Sequence, residues 1–155
     1  MIYQKNEICA LVADIATTEG LPPEFVLAIV DTLSSFNPAL VEQSMDPQQY
    51  NPALSRQIKP NERLGLLQIN PEAAKDIGYK QNQQELLEPT LNVQIGCRLL
   101  KKALEITQNN ADRALLCVYG YSVSSLLPRI QAKVAIYKQF LALRPTQPPQ
   151  IPQPT

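Results

Sequence analysis

Any chemistry in this chain has to be done by carboxylates. Its 155 residues contain no histidine, which removes the base that activates serine or cysteine nucleophiles in the usual pairs and triads. The three cysteines, Cys9, Cys97 and Cys117, include no C-x-x-C pair. An odd number of them, with no histidine, argues against a disulfide framework and a zinc site alike. Each lies in an apolar helical pattern, so all three are expected to be small buried thiols, and neither metal nor cofactor is implied. Acid–base work by Asp and Glu is what remains. The stretch that bears on it is AIVDTLSSFNP, Ala28 to Pro38, where Asp31 and Leu33 stand two residues apart and so face different ways on a helix.

The balance of charge excludes several partners. Lys and Arg total 14, Asp and Glu 14, and they are scattered, so no polyanion-binding face or charged arm is indicated and nucleic acid is a poor partner. No apolar run approaches the ~20 residues that span a bilayer. MIYQKNEICALVADIATTEG, at the start, places polar and acidic residues where a secretory signal has its apolar core. The expectation is a helix, and a chain made in the cytoplasm without a signal peptide.

Helices must position whatever acids are used. Ile8, Leu11, Val12 and Ile15 repeat at helical spacing and predict a helix over about Tyr3 to Thr18, ended by Gly20. Pro22 and Pro23 suit the first turn of a second helix. Phe25, Ala28, Ile29, Thr32, Leu33 and Phe36 share one of its faces, and Pro38 closes it. Val41 to Arg63, with Pro47, Pro52 and Pro60 and no clear period, reads as a long loop. Asn70, Pro71 and Glu72 open a short helix that stops at Gly78. Further helices are expected over about Pro89 to Thr107, with Ile95, Leu99, Ala103 and Ile106 inward, and over Ala111 to Tyr119. A last one carries Leu127, Ile130, Val134, Tyr137 and Leu141. PTQPPQIPQPT follows, too proline-rich to join a core. The domain is mainly α.

Four motifs succeed one another along this frame. IVDTLSSFNP supplies Ser34, Phe36, Asn37 and Pro38. GLLQINPEAAKDIG runs from Gly65 to Gly78, EPTLNVQIG carries Asn92 and Gly96, and VYGYS carries Tyr119, Gly120 and Ser122. In this order they resemble the lytic transglycosylase domain of the soluble, lysozyme-like type, over roughly Glu7 to Leu143. The resemblance implies a lysozyme-like domain over 1–143, with a long inserted loop and a Pro-rich extended tail over 144–155. It implies cleavage of the bond between N-acetylmuramic acid and N-acetylglucosamine in peptidoglycan, and a substrate groove built from Ser34, Gly65, Leu66, Gln68, Tyr119 and Gly120. In the family a single glutamate protonates the departing glycosidic oxygen. It then takes the proton of the muramic 6-hydroxyl, which closes an anhydro ring; one carboxyl acting both ways needs a partly apolar cleft.

Here Leu33 occupies that glutamate's place, and leucine neither gives nor accepts a proton. Gly120 stands where the family has Asn after Tyr119, removing an amide able to bond a sugar. Both departures predict a catalytically inactive or impaired homologue. Leu33 also lies on the stripe of Phe25, Ile29 and Phe36, so it equally suits a core position, where full burial is worth ~1.5–3 kcal/mol. A compensated enzyme would need another acid. Glu62, three residues before Gly65, is the alternative; Glu42 and Asp46 lie in the loop.

A homologue without its acid is expected to serve as a structural or adaptor protein, or to bind peptidoglycan without cutting it. The 41–63 loop, with Gln43, Gln48, Gln49, Tyr50 and Asn51, and the tail prolines Pro145, Pro148, Pro149 and Pro152 are the expected partner-binding surfaces. As polyproline II the tail reaches about 34 Å at ~3.1 Å per residue. A bacteriophage virion, in its tail or baseplate, is the expected setting.

Overall fold

The computed structural model describes residues 4–43, 62–80 and 82–143. Six α-helices, two 3-10 segments and one two-stranded ribbon are the regular elements of the described residues. The first helix, α1 (Lys5–Thr18), starts where the Gln4 amide donates to Glu7 Oε1 at 2.9 Å and buries Ile8, Val12, Ile15 and Ala16. Its expected start at Tyr3 lies outside the described residues.

Helix α2 (Pro23–Ser34) is the centre of the fold. Phe25 through Val30 are all buried, as expected of a helix apolar on every side. Packed around it are α1 and the last helix, α6 (Leu127–Leu143), which buries Ile130 and Tyr137. Asp31 joins α2 to α6 by polar contacts: its carboxylate accepts from Lys133 Nζ at 2.9 Å and from the Tyr137 hydroxyl at 2.7 Å. Burial alone would raise the Asp31 carboxyl. The hydrogen bonds from Lys133 and Tyr137, with the charges of Lys133 and Lys5, hold it below its ordinary value instead.

The segment expected as loop from Val41 to Arg63 is closed at its base by structure. Strand β1 (Val41–Gln43) pairs antiparallel with β2 (Glu62–Leu64), Val41 opposite Leu64 and Gln43 opposite Glu62. Three residues are too few to show an alternating pattern in sequence. Asp46, Gln48, Gln49, Tyr50 and Asn51 lie outside the described residues, as does the tail with Pro145, Pro148, Pro149 and Pro152.

Helix α3 (Pro71–Asp76) starts as expected, with the Asn70 side chain accepting from the Glu72 amide at 2.8 Å. A 3-10 turn over Gln83–Leu87 leads to α4 (Pro89–Ile106), capped by Glu88, then to α5 (Ala111–Tyr119), capped by Asn110. Ile95, Leu99 and Ala103 point inward, but Ile106 does not. It is 67 % exposed, because it ends α4 where Gln108 and Asn109 take left-handed conformations and turn the chain away. Cys9 and Cys97 are buried and burial raises the Cys97 thiol to about 12. Cys117 corrects the expectation of three buried thiols: it is exposed on α5. None of the three is in a disulfide.

Candidate functional site

Two turns are brought together at the Leu40 carbonyl. The first ends α2: after Leu33 and Ser34, Ser35 and Phe36 take φ of 51° and 61°. Two left-handed residues in succession, one of them aromatic, are a costly conformation. They swing the Phe36 ring back into the core, edge-on to Tyr137 at 6.4 Å. The second turn, Gly65 to Gln68, lies at the end of β2. Its Gly65 amide donates to Leu40 O at 2.8 Å, and Gln68 Nε2 donates to the same carbonyl at 3.2 Å and to Gly65 O at 2.9 Å.

Asn92 of α4 fixes the second turn from beneath. Its Nδ2 donates to Leu64 O at 2.7 Å and Leu86 O at 2.6 Å, and its Oδ1 accepts the Leu67 amide at 2.8 Å. The close approach needs two glycines. A Cβ on Gly65, at φ 75°, would stand 2.4 Å from Asn92 Nδ2, and one on Gly96 would stand 2.4 Å from Leu67 Cδ1.

A cavity of about 460 Å³ opens between this turn, α3 and the end of α5. Gln68, Tyr119 and Gly120 line it, joined by Arg63, Asn70, Glu72 and Cys117. Tyr119 is 3 % exposed, and its hydroxyl donates to Leu67 O at 2.7 Å. Burial raises it well above the ordinary tyrosine range. Its hydroxyl is spent on Leu67 and is no donor to the cavity. Gln68 Oε1 is buried and has no hydrogen-bond partner among the described residues, a buried acceptor of the kind that calls for an explanation.

Arg63 was not foreseen. Its guanidinium lies 5.6 Å from the Tyr119 ring and donates to Tyr119 O and to Ser122 Oγ, a cation at the carbonyl end of α5. Burial lowers its pKa from the ordinary value, against the opposing pull of Tyr119 and Glu42. Only the pairing of a loop-end arginine with the VYGYS motif would have revealed it, and that pairing is long-range.

The remaining expected residues fall elsewhere. Leu66 is fully buried, and Ser34 is 4 % exposed with its hydroxyl donating to Val30 O at 3.0 Å; both belong to the packing beneath the site. Leu33 is half-buried and packs against the core. Glu62 begins β2 and does not line the cavity, whereas Arg63 does. Alternation along a strand turns neighbouring side chains to opposite faces. Among the described residues the acid that lines the cavity is Glu72, whose side chain is 59 % exposed and pairs with Lys75 at 3.3 Å. Its place at the start of α3 disguised it as a helix-start residue.

These turns, with the glycines and the buried asparagine that seat them, recur in order along the chain, and the transglycosylase SLT domain family matches residues 10–125. The chain belongs to the transglycosylase SLT domain family. No curated protein and no solved structure matches it. Membership makes the protein a lysozyme-like, lytic transglycosylase-related domain, in keeping with its helical architecture. The matched residues hold both turns of this SLT domain and all of α5 and end before α6. No helix among the described residues is long and apolar enough to cross a membrane.

Proposed function

We propose that this SLT domain binds peptidoglycan glycan strands without cleaving them. The observation that carries the reading is Leu33: a half-buried hydrocarbon, packed on the core, at the position where the motif calls for the acid. General acid–base transfer contributes about 10²–10⁴-fold, and in this reaction it is the bond-breaking event. Position 33 lies in the last turn of α2, where the negative end of the helix dipole favours a protonated carboxyl. The frame suits a general acid that the chain does not carry.

Binding has more support than cleavage. The cavity keeps Gln68, Tyr119 and Gly120, three of the residues the motifs assign to a glycan groove, on its lining, with Arg63 beside them. Neither candidate replacement acid is well served. Glu62 is directed to the other face of the ribbon from Arg63, and Glu72 is open to water and paired with Lys75, without the apolar enclosure a general acid requires.

Digestion of purified peptidoglycan with mass detection of anhydro-muropeptides tests this. The native chain is expected to sediment with the glycan and release no product, and Leu33→Glu to release some. Product from the native chain that disappears in Glu62→Gln or Glu72→Gln would instead identify an active enzyme with a displaced acid. We also propose a virion setting, as an adaptor in a phage tail or baseplate. Its support is the sequence alone: a missing acid beside a long loop and a proline-rich tail. Detection of the chain in purified particles tests it.

A further inference from the structure

An aromatic groove on the side of the domain formed by α1 and α6 is independent of the glycan reading. Lys5, Asn6, Cys9, Ala10, Tyr137 and Phe140 line a cavity of about 590 Å³ there. Tyr137 and Phe140 stand edge to face at 6.1 Å. The Tyr137 hydroxyl is committed to Asp31, so the groove receives its ring. Lys5, the one charge among the described lining residues, sits 5.2 Å over the Phe36 ring. The surface is therefore apolar, aromatic and nearly neutral. At its edge α6 ends with Phe140 46 % and Leu143 86 % exposed, an apolar helix end that the described residues do not cover.

We propose that the proline-rich segment Pro145–Thr155 of the same chain lies across this groove, its prolines and Ile151 on the rings of Tyr137 and Phe140. Aromatic-lined grooves take polyproline II segments because such a segment is extended beforehand and loses little entropy on docking. PTQPPQIPQPT is such a sequence and carries no charged side chain, which matches a lining whose one ammonium is already placed on a ring. Connectivity selects the occupant. Leu143 is about 4.5 Å along the helix from Phe140 at ~1.5 Å per residue, and the segment beyond extends about 34 Å at ~3.1 Å per residue. Its reach exceeds the distance needed even after the chain reverses. A short tether gives an effective concentration on the order of mM, so weak intrinsic affinity is enough to fill the groove.

The test is NMR on the full chain, beside a synthetic PTQPPQIPQPT peptide as the undocked reference. The expected result is proline-to-ring cross-relaxation with Tyr137 and Phe140 and proline shifts displaced from those of the peptide. Both should be lost when Pro148→Gly, Pro149→Gly and Pro152→Gly are combined, and again in Phe140→Ser. The proline variant alters no residue of the helical core, so its outcome does not depend on the folding of Phe140→Ser. Tail shifts equal to those of the free peptide, with no ring contact, overturn the proposal. Contacts that survive about ten-fold dilution at monomer mass support it. Contacts that vanish on dilution together with a dimer in sedimentation overturn the same-chain occupant and assign the groove to a second copy.

Discussion

The two turns that meet at Leu40 are held to different standards. Gly65 to Gln68 is clamped: Asn92 bonds its Leu67 amide and the adjoining Leu64 carbonyl and ties both to Leu86, Gly65 and Gly96 leave no room for a methyl group, and Leu66 and Leu67 are fully buried. The end of α2 is clamped at Ser34 and Phe36 but not at Leu33, which lies half-buried just before them. Motif residues thus divide into those the packing requires and Leu33, which on the reading proposed above stands where the reaction, not the packing, sets the residue. A residue of the second kind can change while the frame stays, and here the frame is complete around a leucine.

The sharpest way to break that comparison is Asn92→Ala. It strands the Leu67 amide and the Leu64 and Leu86 carbonyls in a dry interior, and each orphan costs ~1–3 kcal/mol. The expected loss is at least about 3 kcal/mol, read as a fall in urea midpoint at unchanged slope. A loss below about 1 kcal/mol would mean the turn holds itself and the comparison fails.

Asp31→Asn probes the other frame, since Asp31 pins α2 to α6 two residues before Leu33. Losing a charge-assisted pair of hydrogen bonds costs about 1.5–3 kcal/mol at neutral pH. The folded carboxyl is held below its ordinary value, so its stabilisation is present above the unfolded value of about 3.9 and is lost as pH falls through the folded one. Urea midpoints of the native chain and variant are therefore expected to converge in acid; a gap that persists at pH 2 would assign the effect to packing. Gly96→Ala comes next. The new Cβ overlaps Leu67, and overpacking of this kind costs typically ~1–3 kcal/mol. Thermal melting is expected to show the loss with the cavity otherwise intact.

How much of this was legible beforehand follows the range of each interaction. The helices were, because the stripes of α1 and α6 and the Asn70 cap are written in neighbours a few residues apart. The ribbon was not: three-residue strands carry no period, and Val41 meets Leu64 across a long gap. Of the groove residues, Gln68, Tyr119 and Gly120 do gather at one cavity. Ser34 and Leu66 were named from the same motifs yet are packing residues, since a motif does not say which of its members face outward. Arg63 and Glu72 were missed for the complementary reason, each owing its place at the cavity to contacts distant in sequence or to a cap that looked sufficient alone.

The smallest expected effect tests the comparison most directly. Leu33→Glu forfeits part of a half-buried hydrophobic contact, up to ~1 kcal/mol, and puts a carboxylate in the last turn of α2 against the helix dipole, at ~0.3–1 kcal/mol. The total, about 1–2 kcal/mol, is less than the frame at Asn92 is expected to lose. The second contribution has a pH signature. A carboxyl at the negative end of a helix has its pKa raised in the folded state, so the penalty is absent below the unfolded value of about 4.3 and grows as pH rises through it. Urea midpoints at pH 3.5 and pH 7 should show the gap from the native chain widening toward neutrality. A gap that is large and independent of pH would mean that Leu33 is as firmly held as the clamped turn, and that the fold, not the absence of chemistry, keeps leucine there.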